Sequence, residues 1–539
     1  MAQIIPDAGS TLQQLQPPTL TLPRRPAPDA QIEAPVPPVL QPAPDIRFPL
    51  KEFRIAGATV FRDAELQSLL QDLLGREVGI AELGEAVGRI TRFYSERGYP
   101  LATAYLPAQD ITNGSVEILI LEGRIGDINL LNRTRVRDGV IASYLAPLTG
   151  RVVEDAALER QLLLVYDLPG VVPDKAALAP GQVVGETDMR LELNPGRTVA
   201  ASVSVDNYGN FYSGANEISG QLALANPARL GDVLSVEVTK GDPGLEYGHL
   251  NYQLPVGGHG LRVATQYSRV RYELGDKFAA LGASGEASSA TASMQHALLR
   301  SRQSSIYVGL SYERRVLQDR IDVTDTTSDR TARLLQLTLS GDSFDSWGGD
   351  GRNAFSLRYG DGNLDIESPA VEAIDAATAR TEGTYRKLSL SFVRLQSLTG
   401  RVSAYISFYG QKAANNLDSS EKIILGGING VRAYPQGEAA GDSGYLLNGE
   451  LRYTFSLQRP PGSLQAAVFL DTGKVTLVEE PFSALPNDRR LSGGGLSVGW
   501  TTVNNFTLRA VVAHRIGDAR ATAGTDTQTR GWLQVTKIF

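Results

Sequence analysis

The chain has 539 residues, a net charge of −7, 55 glycines and no cysteine. Its length predicts about two to four folded units, and the lack of cysteine excludes a disulfide scaffold, a thiolate metal site and a cysteine nucleophile. Basic residues are scattered and no apolar run approaches the roughly 18 residues of a spanning helix, so the composition favours neither nucleic-acid binding nor a helical membrane protein.

Residues 1–45 contain eleven prolines. The first ten residues lack the basic and apolar regions of a secretory signal, which predicts a processed N-terminus behind an added methionine. Within residues 1–20, the stretch DAGSTLQQLQ predicts a short helix with Ser10 as its N-cap and Leu12 and Leu15 on one side. So short a helix needs a partner surface. Residues 21–45 are predicted to form an extended, semi-rigid linker.

Two consecutive segments, residues 46–125 and 126–196, predict the same order of strand, two helices and two strands. The first contains FRIAG, helices over 63–74 and 80–97, ATAYLP and SVEILILEG. The second contains DINLLN, helices near 138–146 and in EDAALERQLLLVYDLPG, and strands near 171–178 and 186–193. Each segment is expected to be an α+β domain, with two helices on one sheet face and a strand edge left free.

From residue 197 to Phe539 the sequence alternates strictly between apolar and polar residues, which predicts about sixteen strands. Their centres lie near residues 202, 221, 236, 251, 266, 294, 308, 336, 356, 391, 406, 450, 468, 496, 509 and 534. Joins after even-numbered strands are mostly short. The long predicted loops follow odd-numbered strands, at residues 274–287, 315–330, 361–384 and 412–443.

Short turns on one rim and long loops on the other are typical of an antiparallel β-barrel of the bacterial outer membrane, whose short rim is periplasmic. A propeller would show blade repeats, and a sandwich of this size would leave strand edges to protect. The terminal stretch WLQVTKIF places Leu533, Val535 and Phe539 on one face, as expected for a strand that closes such a barrel.

Two short matches raise an enzymatic alternative. FLDTG at 469–473 has the aspartic-protease signature, and GDSG at 441–444 supplies a second aspartate, but the two motifs lack the long lobe that separates a proton-sharing pair. The four histidines fall in or beside barrel strands, and no metal-ligand spacing occurs. The loop GGINGVRAYPQGEAAGDSGY also lacks the lysine of a phosphate-binding loop. We expect no catalytic residue, metal, cofactor or nucleotide site.

The strand QAAVFLDTG carries a further indication. Val468 and Leu470 share its apolar face, so Phe469 and Asp471 must point into the lumen. Because about sixteen strands enclose a space that wall side chains cannot fill, the glycine-rich loop could enter it and bring Arg432 to Asp471. A partly dehydrated pair of this type contributes about 1.5–3 kcal/mol. The alternative is an external loop with a solvated arginine.

Taken together, these residues resemble the outer-membrane transporters of two-partner secretion, the ShlB/FhaC/HecB-like TpsB family. The resemblance rests on two β-α-α-β-β units, called POTRA domains in that family, ahead of a sixteen-stranded barrel with VRAYP in its sixth long loop and FLDTG in its thirteenth strand. It extends to RFYSERGYPLATAYLP and VYDLPGV in the two units. The family pattern has glycine at the position of Ala433.

The resemblance implies roles for two sets of residues. The tip of a lumenal loop over 412–443 would consist of Val431, Arg432, Tyr434 and Pro435. Its partner site on the barrel wall would consist of Phe469, Asp471 and Gly473.

The resemblance also implies a non-enzymatic pore in the outer membrane of a Gram-negative bacterium, plugged by the N-terminal helix. Its periplasmic POTRA domains would recognise an unfolded secreted partner, expected to be a large β-helical exoprotein with an N-terminal secretion domain, and the pore would translocate it without nucleotide hydrolysis. We expect a monomer in outer-membrane lipid. The partner's activity stays open between adhesin, cytolysin, contact-dependent toxin and haem-acquisition protein. A barrel insertase and an aspartic protease are the alternative functions.

Overall fold

The computed structural model describes residues 5–16, 20–23, 47–111, 113–458 and 461–539. They form two compact units. One contains residues 47–196 and 257–259, and the other contains the described residues before position 24 with 197–256 and 260–539. Of the linker predicted over 21–45, only residues 21–23 are described, and the remainder lies outside the described residues. No helix in the described ranges is long and apolar enough to cross a membrane.

The N-terminal helix α1 (Ala8–Leu15) begins earlier than predicted, because Asp7 rather than Ser10 is its N-cap. The Asp7 carboxylate accepts from the Ser10 backbone N–H at 2.8 Å, and the Ser10 hydroxyl accepts from the Asp7 backbone N–H at 3.1 Å. This reciprocal capping box satisfies two backbone donors at the helix start. Both residues are good caps in sequence, and the structure uses the first of them.

The first α+β domain has the predicted order. Its three-stranded sheet has the order β2 (Glu52–Ala56), β5 (Ser115–Leu121), β4 (Thr103–Tyr105), and β1 (Phe48–Pro49) pairs with β3 (Glu77–Val78). The predicted helix over 63–74 is shorter than expected and is followed by a 3-10 turn at Gln71–Leu73. The long helix, α3 (Ile80–Glu96), packs on the sheet through Leu83, Ala86, Ile90 and Tyr94, which are buried and spaced so that they share one helix face. Its elements are β1 (Phe48–Pro49), β2 (Glu52–Ala56), α2 (Asp63–Ser68), β3 (Glu77–Val78), α3 (Ile80–Glu96), β4 (Thr103–Tyr105) and β5 (Ser115–Leu121).

The second α+β domain repeats this plan, and its sheet has the order β6-β8-β7. The parallel pair β6 and β8 lies beside the antiparallel pair β7 and β8. Leu158, Leu162 and Val165 of the second helix are buried, as are Met189 and Leu191 of the central strand. Its elements are β6 (Arg124–Asn132), α4 (Asp138–Leu145), α5 (Asp155–Tyr166), β7 (Val171–Pro180) and β8 (Glu186–Pro195).

The remaining chain forms a closed barrel of sixteen antiparallel strands, which confirms the predicted fold. The first eight strands are β9 (Val199–Asp206), β10 (Gly214–Ala225), β11 (Val233–Pro243), β12 (Leu245–Val256), β13 (Leu261–Glu273), β14 (Ala283–Arg300), β15 (Ser304–Ile321) and β16 (Thr326–Asp345). The other eight are β17 (Gly351–Ile366), β18 (Gly383–Ser397), β19 (Val402–Ala413), β22 (Ser443–Gln458), β23 (Pro461–Thr476), β24 (Asp488–Thr502), β25 (Phe506–Arg515) and β26 (Thr529–Ile538). Between β19 and β22, β20 (Ile423–Ile424) and β21 (Ala440–Gly441) form a separate short pair outside the barrel sheet.

Alternation along the strands separates an apolar exterior from a polar interior. On β23, Val468 and Leu470 are 51% and 67% exposed, whereas Phe469 and Asp471 are 4% and 2% exposed. The same alternation recurs on the other strands, as expected where an outer surface meets lipid and an inner surface lines a lumen. The alternation of odd and even positions along each strand therefore predicted which side chains face inward.

One predicted loop, 315–330, is mostly strand. Its residues continue the pairing of β15 with β16 out to Ile321 and Thr326, and a four-residue turn joins the two strands. The extension is polar, so apolar alternation did not reveal it. By contrast, residues 367–382 and 414–442 lie outside the wall strands that flank them, although Pro369–Ala377 forms a sixth helix, α6, that was not predicted.

The barrel closes where β26 pairs with β9, from Gln534–Asp206 to Ile538–Ser202. Leu533 and Val535 are 49% and 41% exposed, on the outward face that the sequence predicted. The terminal Phe539 follows the last strand, and its backbone N–H donates to the carbonyl of Ala201 at 2.9 Å. The last residue of the chain thus continues the closing seam.

Candidate functional site

The segment between β19 and β22, residues 414–442, folds into the barrel and is called here the lumenal loop. Val431, Ala433 and Tyr434 at its tip are at most 1% exposed. They belong to an apolar cluster with the wall residues Phe469 and Trp532. The loop is therefore an internal element of the barrel, not an external loop with a solvated arginine.

Arg432 at the loop tip forms a forked ion pair with Asp471 of β23. Its Nε donates to Oδ2 at 2.9 Å and its Nη2 donates to Oδ1 at 2.7 Å. The Arg432 backbone N–H donates to the same Oδ2 at 3.1 Å. Both residues are 2% exposed. Planar bidentate geometry of this kind fixes the orientation of an arginine as well as its position.

The wall provides two further contacts to the Arg432 guanidinium. Its Nη1 donates to Glu450 Oε1 of β22 at 2.6 Å, and its central carbon lies 3.5 Å from the centroid of the Phe469 ring. Burial alone would lower the pKa of Arg432, but hydrogen bonds and charge from Asp471 and Glu450 raise it above the ordinary value. The guanidinium is thus held charged in a dry site by two carboxylates and an aromatic face.

Backbone contacts fasten the same tip to the wall. Trp532 of β26 donates its indole N–H to the Arg432 carbonyl at 2.8 Å, and the Tyr434 hydroxyl donates to the carbonyl of Ala519 at 2.9 Å. Asn448 of β22 donates to the Gly430 carbonyl at 2.9 Å. These bonds leave the loop tip one orientation in which its buried polar groups are satisfied.

Small residues on the wall make room for the tip. A Cβ at Gly473 would lie 2.8 Å from a methyl carbon of Leu425, and a Cβ at Gly493 of β24 would lie 2.6 Å from the Cβ of Ala433. Ala433 does not have a positive φ, so its backbone does not need the glycine of the family pattern. Its added methyl group instead faces a glycine across the interface. Pro435 follows in the turn, and a Cβ added at Gly426 would lie 2.4 Å from its carbonyl oxygen.

Glu438 is a site residue that the sequence did not predict. It is fully buried, forms an ion pair with Arg489 and accepts from the backbone N–H groups of Thr522 and Ala523 at 2.7 and 2.8 Å. It therefore joins the lumenal loop to the last connection of the barrel, residues 516–528. A single acid in a polar loop carries no distinguishing pattern in one sequence.

Helix α1 packs against inward-facing side chains of the barrel. Leu12 is 2% exposed and lies in a cluster with Tyr247, Val270 and Tyr272. The Ala8 backbone N–H donates to Asp319 Oδ1 of β15 at 2.8 Å. The barrel interior thus supplies the partner surface that so short a helix requires.

Arg330 of β16 connects the helix, the lumenal loop and the wall. Its guanidinium pairs with Asp319 of the wall at 2.6 Å, with Asp7 at the helix start at 3.4 Å, and with Asp418 of the loop. Ser419 of the loop also donates to Asp7 at 2.6 Å. One buried arginine thus holds acids from three separate parts of the chain.

Comparisons with known proteins decide the family. A model described as "Haemolysin secretion/activation protein ShlB/FhaC/HecB" matches residues 185–500, which is more than half of the chain, and a ShlB-type POTRA domain model matches residues 48–123. The chain belongs to the ShlB/FhaC/HecB family.

Relatives span nearly the whole chain. The heme/hemopexin transporter protein HuxB of Haemophilus influenzae strain 86-028NP is 25% identical, covering 99% of this chain and 95% of its own. The outer membrane transporter CdiB of Escherichia coli is 23% identical, covering 88% and 81%. The solved structure of CdiB from Escherichia coli is 21% identical, with a TM-score of 0.75, and the match covers 95% of this chain and 94% of that one. The solved structure of CdiB from Acinetobacter baumannii is 18% identical, with a TM-score of 0.69, and the match covers 99% of this chain and 100% of that one.

This ShlB/FhaC/HecB protein is accordingly an outer-membrane β-barrel transporter of the two-partner secretion type, with its POTRA domains in the periplasm. The aspartic-protease alternative finds no geometric support. Asp471 is bound by Arg432 and Asn448, whereas Asp442 pairs with Lys422, so the two carboxylates have separate partners and share no proton. Within the described ranges, no group of three or more acidic or histidine side chains is arranged to hold a metal ion.

Proposed function

We propose that this transporter takes an unfolded partner protein from the periplasm through its POTRA domains and passes it outward through the barrel without nucleotide hydrolysis. The proposal is supported by the two segments of the chain that lie inside the barrel. Helix α1 and the lumenal loop lie inside a closed barrel and are attached to its wall by ion pairs and hydrogen bonds as well as by two apolar clusters. Polar attachments of this kind can exchange for water, which lets a segment leave a pore and return.

Recognition would use strand addition. An extended chain that pairs with the edge of a sheet gains backbone hydrogen bonds whatever its side chains, which suits a long unfolded partner. The first α+β domain is called POTRA 1 here and the second POTRA 2. In POTRA 1 both edges are partly capped: Gln67 donates to the Phe53 carbonyl of β2, and the Thr91 hydroxyl accepts from the Ala104 N–H of β4. These caps occupy backbone groups that an added strand would need.

The edge strand β7 of POTRA 2 is more open. Among the described residues, no side chain hydrogen-bonds to the backbone of residues 174–179, and Ala177 and Ala179, which are half-buried and exposed, carry only small side chains. We therefore place the first strand of the partner on β7. Pro173 and Pro180 limit the usable edge to the residues between them, because proline has no N–H to donate.

Export would then require α1 to leave the lumen. Ion pairs and hydrogen bonds at the start of the helix meet at Asp7 and Arg330, so a local rearrangement there would release the start of the helix, whereas its later residues are held by the apolar cluster around Leu12 and by bonds from Gln16 to the wall. Folding of the partner at the cell surface would supply the free energy that drives transport outward. The partner is proposed to be a large exoprotein with an N-terminal secretion domain, and the barrel to act as a monomer in lipid.

The test is substitution of the loop tip. In a strain that expresses the partner gene, Arg432→Ala should abolish or strongly reduce secretion while a heat-modifiable barrel still assembles in the outer membrane. Arg386→Ala is the matched control, because Arg386 is an exposed barrel arginine whose partner Asp361 is also exposed.

Normal secretion by the Arg432→Ala variant would contradict the role of the loop tip. Depletion of the whole protein gives an independent measurement. A loss of one exported protein is expected, and a broad loss of outer-membrane proteins would instead indicate an insertase.

A further inference from the structure

The outward face of the barrel changes character near the rim that carries the long loops, which faces the cell exterior. Along β15, the outward side chains just before Tyr312 are apolar, Tyr312 is 48% exposed, and the next outward residue is Arg314. Along β16, Leu337 and Leu335 face outward, and the next outward residue toward the same rim is Arg333. Both arginines therefore lie where the lipid hydrocarbon gives way to the headgroups of the outer leaflet.

Arg314 and Arg333 are directly opposite each other in the pairing of β15 with β16. On its other side, Arg314 is opposite Ala290 of β14. Among the described residues, no carboxylate forms an ion pair with Arg314, whereas Arg333 pairs with Asp365 of β17. Like charges directly opposite on adjacent strands repel each other. Of the two positive charges at this position, the wall therefore neutralises one.

On the far side of β14, two more arginines face outward. Arg269 and Arg271 of β13 are 45% and 56% exposed, and they share one carboxylate, that of Glu286 on β14, at 2.5 and 2.8 Å. We call Arg269, Arg271, Arg314 and Arg333 the basic cluster. Within the described part of the chain, these four side chains form ion pairs with two carboxylates, so the cluster keeps a net positive charge.

The lipid-facing surface beside the basic cluster has a shallow groove. Ala290 and Ala292 are consecutive outward residues of β14, and both are exposed. Tyr267 of β13 is opposite Ala290, and Tyr312 of β15 is opposite Ala292. Two tyrosines that are each about half exposed thus flank a strand with small side chains. The depression between the two rings runs toward the hydrocarbon region and has Arg314 at its upper end.

We propose that the basic cluster binds the phosphate of a phosphorylated glycolipid of the outer leaflet, and that an acyl chain of the same lipid lies along β14. Arginine forks match phosphate oxygens in a bidentate way, and basic clusters at a membrane surface select anionic headgroups. A phosphate between Arg314 and Arg333 supplies the negative charge that the wall lacks. The site depends on the place of the barrel in the outer membrane and not on what passes through the lumen.

The experiment titrates the full-length protein in detergent with lipid A, with and without its phosphate groups, and measures the bound lipid by native mass spectrometry. The wild-type protein should bind the phosphorylated form at least about tenfold more tightly, and inorganic phosphate should not displace it. Arg314→Gln should reduce this preference at least about fivefold. Arg314→Lys should retain part of it, because lysine keeps the charge without the fork.

Lys474→Gln is the matched control. Lys474 of β23 also faces outward near this rim and is 46% exposed, but it pairs with Asp488 at 3.0 Å and lies six wall strands away from β15. Its loss removes the same charge and should leave the preference for phosphorylated lipid A unchanged.

Thermal unfolding gives a second measurement, in which the effect of Arg314→Gln changes sign. Without lipid A, the variant should unfold at the wild-type temperature or above it, because removing one of two facing positive charges relieves repulsion. With phosphorylated lipid A, it should unfold below the wild-type temperature. Equal binding of the two lipid forms, an unchanged preference in Arg314→Gln, or a loss of stability in that variant without lipid would each overturn the proposal.

Discussion

Two buried arginines hold the contents of the lumen, and they do so from opposite sides. Arg432 belongs to the lumenal loop, and its carboxylate partners Asp471 and Glu450 belong to the wall. Arg330 belongs to the wall, and two of its partners, Asp7 and Asp418, belong to the helix and the loop. The first site fastens one segment. The second makes two segments depend on the same wall residue, so its loss should release both.

Asp471→Asn should have the largest effect on stability. It leaves the buried Arg432 without its bidentate partner, and breaking such a pair costs about 3 kcal/mol or more. The temperature at which the barrel loses heat-modifiable migration should fall. Asp365→Asn is the control, because its pair with Arg333 is half exposed and contributes at most about 1 kcal/mol. Equal shifts in both variants would show that the Arg432 site is not specially coupled to the fold.

Arg330→Gln should free helix α1 and the loop base together. The chain has no cysteine, so nitroxide labels at Ile5→Cys and Ala414→Cys can report on each segment by electron paramagnetic resonance. Both labels should become more mobile, because Asp7 and Asp418 lose their shared cation. Arg320→Gln, an exposed arginine on the neighbouring strand, should change neither label. Release of only one segment would show that the two are held independently.

Gly493→Ala should lower the thermal stability of the barrel, because the loop tip fits closely against the wall at this position. The new Cβ would lie 2.6 Å from that of Ala433, and overpacking of this kind costs about 1–3 kcal/mol. Adding Ala433→Gly should restore most of the lost thermal stability. A double-mutant cycle measures this coupling, and additive effects would mean that the loop tip moves away from the wall instead.

Ser10→Ala should have the smallest effect. It removes one half of the capping box, and the loss of a capping contact costs about 0.5–1 kcal/mol. The Ile5→Cys label should become slightly more mobile, by much less than in the Arg330→Gln background. An equal increase would identify the cap, rather than Arg330, as the main attachment of the helix.

The sequence predicted the wall better than what the wall encloses. Alternation of side chains marks strands wherever one face is apolar, so all sixteen strand positions were predictable, as was the inward direction of Asp471. The contact between Arg432 and Asp471 could be anticipated because a lumenal carboxylate needs a counter-charge. The polar extension of β15 and β16 beyond residue 315 has no apolar face, and for that reason it was predicted as a loop.

The other buried contacts between distant polar residues could not be predicted. Arg330, Asp418 and Glu438 stand in sequence surroundings like those of solvated charges, and only the closed barrel brings them to their partners. The start of helix α1 was misplaced for a different reason. Asp7 and Ser10 are three residues apart and both are strong caps, so local preference alone does not choose between them.

Gly9 fixes the position of helix α1 against the lumenal loop. A Cβ at this position would lie 2.6 Å from the Ser419 hydroxyl and 2.9 Å from the Ser420 backbone nitrogen, so only glycine fits against the loop there. A helix displaced along its axis by one residue would bring a side chain to that point and be rejected. In the proposed export cycle, a helix that has left the lumen would therefore return to a single depth.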